Sequence, residues 1–540
     1  MGISFLIFFM SFYLIIIFKT GGLYYVKHFH FYPGCGDKYS LPFKFNITLS
    51  KIIDPQTTKT KTKMSYHKIK SGKINFLKNL KPIFKDIREA ISGSDQDFTK
   101  GSINRAIFLL SVPMVLEMIM ESVFAVVDIW FVSKLGADAV ATVGITESLI
   151  TIVYSIAIGL SMATSALVAR RIGEKDKEGA TKSAFQGVAV AAITAILIAI
   201  PGAIYAGDLL ILMGVSDEIA KDFSSYTAIM LGGNIVIMLL FVINGIFRSS
   251  GDAAISMRVL WLANIINLIL DPILIFGWGP IPAMGIAGAA IATTIGRGIA
   301  VSYQLYILFY GKVRVGFSLS ALKIDFPLMA RLVRISLGGI GQTIIATSSW
   351  IGMVRIIAEF GSEVVAGYTI AIRVVIFSLL PSWGISNATA TLVGQNLGAK
   401  EPDRAEKSVW ATGKINIILL GMIGIIFIIM PTFFIRLFIT DSAVVEVGAN
   451  ALRIISFGFF AYGFGMVLIQ AFNGAGDTRT PTRINLICFW LIEIPLASFL
   501  SLYAGMNENG VFYSIVISET LLAIIAFYLF RKGKWKENKV

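Results

Sequence analysis

Apolar runs of membrane-spanning length recur along the chain between residues 106 and 531, with short polar segments between them. A helix that crosses the hydrocarbon core of a bilayer needs roughly 20 mostly apolar residues. The pattern therefore predicts an all-α membrane protein with twelve transmembrane helices. Their approximate bounds are 106–134, 140–168, 183–203, 226–247, 253–277, 283–311, 332–358, 364–393, 408–430, 450–472, 478–504 and 509–531.

Composition excludes several other classes of protein. Of the 540 residues, 56% are hydrophobic and only 15% are charged, which is more apolar surface than a water-soluble fold buries. The sequence contains no HExxH, GxSxG or GxxxxGK[ST] motif, and no histidine lies within a predicted span. These absences argue against an intramembrane enzyme and an ATP-driven pump. We expect no cofactor.

The net charge of +14 follows the membrane topology. Lys and Arg are concentrated in the connections after the even-numbered helices, for example Arg170, Arg171 and Lys175, and in the C-terminal tail. The positive-inside rule places such connections in the cytoplasm. The distribution predicts a multi-pass protein of the inner cell membrane with both termini cytoplasmic, and it argues against nucleic-acid binding.

A segment of the chain is repeated at an offset of 225 residues. Residues 163–183 and 388–408 are identical at nine of 21 aligned positions, and the same offset pairs Gly136 with Gly361. Two copies with six spans each enter the membrane in the same orientation, related by an axis along the membrane normal. The repeat predicts an N-lobe over 101–315 and a C-lobe with a basic tail over 316–540. A central cavity would favour transport, although duplication can also simply enlarge a bundle.

The first hundred residues lie outside the repeat. We expect residues 1–100 to form an extension that is mostly cytoplasmic and disordered. The apolar run over 3–18 fits either an additional helix or an uncleaved signal. An alternative is that Met64 is the natural start, because a polar stretch without pattern precedes it.

Two polar faces occur inside the predicted membrane spans. On the first helix, Glu117, Glu121 and Asp128 share one face with Phe124, and on the fifth helix Asn264, Asn267 and Asp271 share another. An ionisable side chain in the bilayer core is costly and usually marks a transport pathway. The alternatives are that these carboxylates stay neutral, or that they pair with Arg297 or Arg373 as structural ties.

Asp128 and Asp271 are expected at the same depth. Each lies six residues before the predicted outer end of its helix, about 9 Å into the span. Two neighbouring buried carboxylates cannot both remain ionised cheaply, so the pair is suited to binding a proton. Glu147, Glu493 and Glu519 also lie within spans, and Glu147 is retained as a candidate for the cavity.

The segment SVPMVLEMIMESVFAVVDIWFVSKLGADAVATVG, which begins at Ser111, resembles the first-helix region of the MATE family. The resemblance continues through ALVARRIGEKDKEGA, FRSSGDA and NLILDPILIFGWG and extends from about residue 100 to 531. It implies a V-shaped pair of six-helix lobes that works by alternating access. It also implies a secondary antiporter that exchanges protons or sodium for bulky, often cationic organic compounds.

The resemblance also implies roles for individual residues. Asp128, Asn267, Asp271 and Thr293 match the cation site of the DinF-like and archaeal branch, so sodium is one ion that this site would hold, and Pro113 matches a hinge in the first helix. Phe124 stands where that branch often has a tyrosine. The seventh and tenth predicted helices lack the acidic residues of the NorM-like branch. We expect the substrate cavity to be lined by Glu117, Glu121, Phe124, Asn264 and Glu147.

A flippase for lipids or lipid-linked oligosaccharides is the alternative function, and its marker would be a cationic cavity that binds phosphate. A monomer is expected, because the two lobes already enclose a cavity.

Overall fold

The computed structural model describes residues 25–33, 43–50, 85–318 and 322–538. The strands β1 (Tyr25–Pro33) and β2 (Phe43–Ser50) pair antiparallel as a hairpin within the N-terminal extension. The interpretations that concern residues 3–18 and Met64 fall outside the described residues. A short helix over 85–92 precedes the helical bundle.

The first half of the bundle contains six spans, which confirms the predicted number. Most helices extend beyond the apolar run that predicted them, because their polar ends project out of the membrane zone. The spans are α1 (Ile103–Val132), α2 (Ala137–Gly173), α3 (Lys177–Ile204), α4 (Asp217–Ser250), α5 (Ala253–Phe276) and α6 (Gly285–Tyr310).

The second half contains six more, with one bent span. The two parts of α10 meet at an angle of 56°, and α11 contains the π-helical segments Leu486–Glu493 and Phe499–Tyr503. The spans are α7 (Phe326–Ile357), α8 (Ser362–Gly398), α9 (Pro402–Ile429), α10 (Ser442–Ser456 with Phe459–Gly474), α11 (Arg479–Tyr503) and α12 (Glu508–Arg531).

The offset of 225 residues appears in the backbone as well as in the sequence. The bounds of α2 and α8 differ by that offset at both ends, and so do those of α3 and α9. Lys175 and Lys400 are both left-handed, with φ of 60° and 61°. The two halves therefore share one fold, as the duplicated segment predicted.

The first helix of each half packs on the second helix of the other half: α1 packs on α8, and α7 packs on α2. A Cβ atom added to Gly159 of α2 would lie 2.7 Å from the backbone nitrogen of Ile340. One added to Gly384 of α8 would lie 2.8 Å from that of Val115. These two contacts are related by the same 225-residue offset, so the interface has pseudo-twofold symmetry.

One end of the bundle carries further contacts between the halves, and we call it the Gly173 end. Gln395 Nε2 donates to the Ser249 carbonyl at 2.8 Å, and Arg404 Nη1 donates to the Gly101 carbonyl at 2.9 Å. These bonds join the second half to the inner ends of α4 and α1. The lobes are therefore held together at the end where the duplicated, Lys- and Arg-containing segments lie.

Candidate functional site

The amide of Asn267 links the polar face of α5 to α6 by hydrogen bonds. Asn267 Nδ2 donates to Asp271 Oδ1 at 3.2 Å and to Thr293 Oγ1 at 3.1 Å. All three side chains are buried, and Asp271 is 0% exposed. The amide fixes the positions of one carboxylate oxygen and one hydroxyl oxygen inside the membrane zone.

Asp128 of α1 adds a second carboxylate to this group. The carboxylates of Asp128 and Asp271 lie close enough for their charges to repel each other. Asp128 Oδ1 and Asp271 Oδ2 are both buried without a hydrogen-bond partner among the described residues. The structure thus brings together the four residues Asp128, Asn267, Asp271 and Thr293 and leaves two carboxylate oxygens without a donor.

A buried carboxylate oxygen without a donor needs a proton or a cation to offset the cost of desolvation. Carboxylate, amide and hydroxyl oxygens suit a hard monovalent cation as well as a proton. No group of three or more His, Cys, Asp or Glu side chains that could hold a metal occurs within the described part of the chain. The arrangement fits a site for a small monovalent cation.

Three further carboxylates lie along the face of α1 and on α2, and they differ in their partners. Glu117 is 2% exposed and accepts a hydrogen bond at 2.8 Å from Arg248 Nη1 of α4. Asn244 Nδ2 lies 3.5 Å from the same oxygen. Glu121 and Glu147 form no ion pair within 4.0 Å among the described residues. Glu117 is therefore paired with an arginine, whereas Glu121 and Glu147 have no ion-pair partner among the described residues.

A buried arginine lies beside the unpaired carboxylates. Arg297 of α6 is 9% exposed, and its Nη1 donates to Tyr154 Oη of α2 at 3.0 Å. The guanidinium carbon lies 5.7 Å from the ring centroid of Phe124. Arg297 also interacts electrostatically with Glu121 and with Glu147. The sequence offered Arg297 as one alternative partner, whereas Tyr154 was missed because no local pattern links the two helices.

The remaining cavity candidate is tied to the first helix. Asn264 is 6% exposed, and its Nδ2 lies 3.4 Å from the Met120 carbonyl. This contact fixes α5 against α1 at the residue directly before Glu121. Of the five residues predicted to line the cavity, Glu117 and Asn264 thus have structural partners, whereas Glu121, Phe124 and Glu147 surround Arg297.

The second half has a different set of buried groups. Met353 and Leu496 occupy the positions that the offset pairs with Asp128 and Asp271. Glu493 of α11 accepts from Ser349 Oγ at 3.1 Å, and Glu519 of α12 bonds Tyr462. Glu493 and Glu519 come from separate helices, so the spacing of residues along one helix does not associate them.

Comparisons with known proteins agree on one family. The family model described as MatE matches residues 113–273 and 340–499, one match in each half. The chain is 26% identical over 454 residues to the probable multidrug resistance protein YoeA of Bacillus subtilis, covering 82% of this chain and 97% of that protein. It is 24% identical over 440 residues to the probable multidrug resistance protein NorM of Thermotoga maritima, covering 81% and 94%.

A solved structure shows the same fold. It is described as the outward-facing conformation of a multidrug resistance MATE family transporter of the MOP superfamily. The two structures superpose with a TM-score of 0.76 at 25% identity, over 82% of this chain and 98% of the other. The similarity therefore covers most of this chain and nearly all of the other.

Proposed function

This chain belongs to the MatE family and is a membrane transporter, not an enzyme, and we propose that it exports hydrophobic organic cations in exchange for protons or sodium. The relatives named as multidrug resistance proteins support export of drugs. The observation that carries the coupling is the pair of unpartnered carboxylate oxygens on Asp128 and Asp271. Either ion would satisfy them.

The proposed exchange follows from competition for negative charge. An organic cation entering the N-lobe is attracted by Glu121 and Glu147, and aromatic rings such as Phe124 suit flat cations. A proton or sodium ion bound between Asp128 and Asp271 reduces that attraction. Binding of one cation therefore weakens binding of the other, and a gradient of the coupling ion drives export of the organic cation.

Pro113 is proposed as the hinge that links this site to the rest of α1. The helix is continuous across Pro113, but a proline removes one backbone donor and lowers the cost of alternative bends. Gly384 of α8 packs directly against Met114 and Val115, immediately after the proline. A change of bend at Pro113 would therefore alter the contact between the two lobes.

The proposed location is the inner cell membrane. The Lys- and Arg-rich connections all lie on the side of the Gly173 end, which the positive-inside rule assigns to the cytoplasm. Both termini would lie on that side. Contacts that join the lobes at this end would close the cavity toward the cytoplasm and leave it accessible from outside.

The test is ethidium efflux from vesicles that carry the wild type or Asp128→Asn, driven in turn by a proton and a sodium gradient. We expect one gradient to drive efflux in the wild type and neither to do so in the variant. Asp138→Asn is the matched control, because Asp138 lies exposed in the first turn of α2. Full efflux in Asp128→Asn would reject the coupling role, and no efflux in the wild type would reject drug export.

A further inference from the structure

The buried cation Arg297 lies on the helix face that also carries Thr293. The two residues are four apart on α6, so they lie one turn, about 6 Å, from each other on the same side of the helix. Thr293 belongs to the group of Asp128, Asn267 and Asp271. Arg297 is therefore placed next to the proposed coupling site without being a part of its hydrogen-bond network.

Arg297 has three carboxylates as electrostatic neighbours. It interacts with Asp128 of the proposed coupling site and with Glu121 and Glu147 of the proposed substrate cavity, and Glu147 also interacts with Asp128. No carboxylate oxygen approaches its guanidinium within 4.0 Å among the described residues. Arg297 thus interacts with three acidic groups without forming an ion pair with any of them among the described residues.

The other groups around Arg297 hold its position without neutralising it. Tyr154 Oη accepts a hydrogen bond from Arg297 Nη1, and Tyr226 of α4 is a further titratable neighbour. Asp271 of α5 interacts electrostatically with Asp128. A guanidinium has five N–H donors, and a buried arginine ordinarily has a bonded carboxylate partner. Among the described residues Tyr154 is the one hydrogen-bond partner of this guanidinium, so most of its donors are not used.

We propose that Arg297 is the specificity-determining counter-ion of the substrate cavity, and that an organic cation binds by displacing it from Glu121 and Glu147 toward Asp128. This inference rests on the proposed function and deepens it. When Asp128 and Asp271 hold a proton or sodium, their attraction for Arg297 is weakened, and Arg297 moves toward Glu121 and Glu147 and neutralises them. When the coupling ion leaves, Asp128 attracts Arg297, and the two glutamates become available to the substrate.

Arg297 would therefore transmit the competition between substrate and coupling ion across one helical turn. It would also set the charge of accepted compounds, because a neutral molecule gains nothing by displacing a guanidinium. Linked binding of this kind typically changes an affinity by between about fivefold and about 150-fold. Arg297 is in this sense a positioning residue. Its replacement should change how strongly the coupling ion alters the affinity for the organic cation, as well as the affinity for either ligand alone.

The test measures ethidium binding to the purified full-length protein by fluorescence, with and without the coupling ion. For Arg297→Gln we expect ethidium to bind about tenfold more tightly in the presence of the ion, because the guanidinium that neutralises Glu121 and Glu147 is gone, and the effect of the ion on the dissociation constant to shrink by a similar factor. Arg297→Lys keeps the charge and should restore both. Arg258→Gln is the control, because it removes an exposed positive charge from the inner part of α5.

Tyr154→Phe provides a second route should Arg297→Gln fold poorly. It removes the hydroxyl that holds the guanidinium, so we expect ethidium to bind several-fold more tightly while the protein keeps all its charges. An unchanged ratio between the dissociation constants with and without the ion in Arg297→Gln, or unchanged ethidium affinity in Tyr154→Phe, would overturn the role of Arg297. Absence of ethidium binding to the wild type would instead overturn the proposed function together with this inference.

Discussion

Gly173 and Gly398 face each other's helices across the pseudo-twofold axis. A Cβ atom on Gly173 would lie 2.0 Å from the carbonyl oxygen of Gln395, and one on Gly398 would lie 2.1 Å from that of Arg170. These distances are far below van der Waals contact. Since the opposing atoms belong to the backbone, the two helix ends approach this closely only because both positions are glycine.

Replacing both glycines by alanine should hold the lobes apart at the Gly173 end. We expect Gly173→Ala combined with Gly398→Ala to reduce ethidium efflux strongly, because the closed contact would cost at least about 1–3 kcal/mol. Efflux is measured alongside the amount of protein in the membrane. Gly144→Ala in α2 is the control, since a Cβ there meets nothing within 4 Å. Efflux at the wild-type rate in the double variant would contradict a need for closure.

The hydroxyl of Thr293 should contribute to binding of the coupling ion. Thr293→Val keeps the shape of the side chain but removes the oxygen that accepts from Asn267. The loss of about 1 kcal/mol should weaken the apparent affinity for the ion about fivefold. The ion concentration that gives half-maximal efflux measures this. Thr294→Val should leave it unchanged, because the Thr294 hydroxyl bonds the Ala290 carbonyl of its own helix.

The ion pair of Glu117 and Arg248 should act on stability. Glu117→Gln leaves the Arg248 guanidinium, with 18% of its side chain exposed, without a counter-charge. Breaking such a pair should lower the free energy of unfolding by about 3 kcal/mol. Thermal unfolding of the purified protein would show this as a lower midpoint. Glu121→Gln, which breaks no ion pair, should leave the midpoint nearly unchanged. Equal midpoints for the two variants would show that the ion pair of Glu117 and Arg248 does not stabilise the protein.

The C-terminal tail should detach at alkaline pH. Trp535 stacks on Phe530 with 4.8 Å between ring centroids, and Lys536 Nζ lies 2.6 Å from Glu406 Oε2. The hydrogen bond to Glu406 raises the pKa of Lys536 above its ordinary value of 10.5. The contribution of this pair, up to about 1 kcal/mol, is therefore complete below pH 10.5 and is lost as the pH rises through the pKa of the docked tail.

Iodide quenching of Trp535, taken as the difference between the wild type and Trp535→Phe, reports this docking. We expect Lys536→Met to expose the ring to iodide already at neutral pH. Lys534→Met should not, because Lys534 is exposed and has no ion pair among the described residues. Equal quenching in the two lysine variants would show that the tail stays docked without the ion pair of Lys536.

Much of the helix arrangement was predictable because membrane spans depend on local composition. Each of the twelve runs exceeds the length that a bilayer requires, and the offset of 225 residues identified the two halves. The grouping of Asp128 with Asp271 followed from equal depth on two helices. The structure brings these residues together, but the depth argument contained no information about the third helix, α6, that supplies Thr293.

Contacts between helices of different depth and face could not be predicted in this way. The pairing of Glu117 with Arg248 separated one carboxylate from an apparently continuous acidic face, and the bond from Arg297 to Tyr154 joined α6 to α2. Each depends on the rotation of two helices about their axes. Side-chain spacing along one helix does not determine that rotation, because it is set by packing against several neighbours at once.

The sequence by itself determined the number of spans, the duplication, the charge asymmetry between the two ends and the presence of acids in the membrane. These features follow from local hydrophobicity and from the cost of burying charge. Tertiary structure alone decided which acids are neutralised, which cation lies among the others and where the two lobes touch. Those outcomes depend on distances of a few ångströms between residues far apart in the chain, such as Gly173 and Gly398.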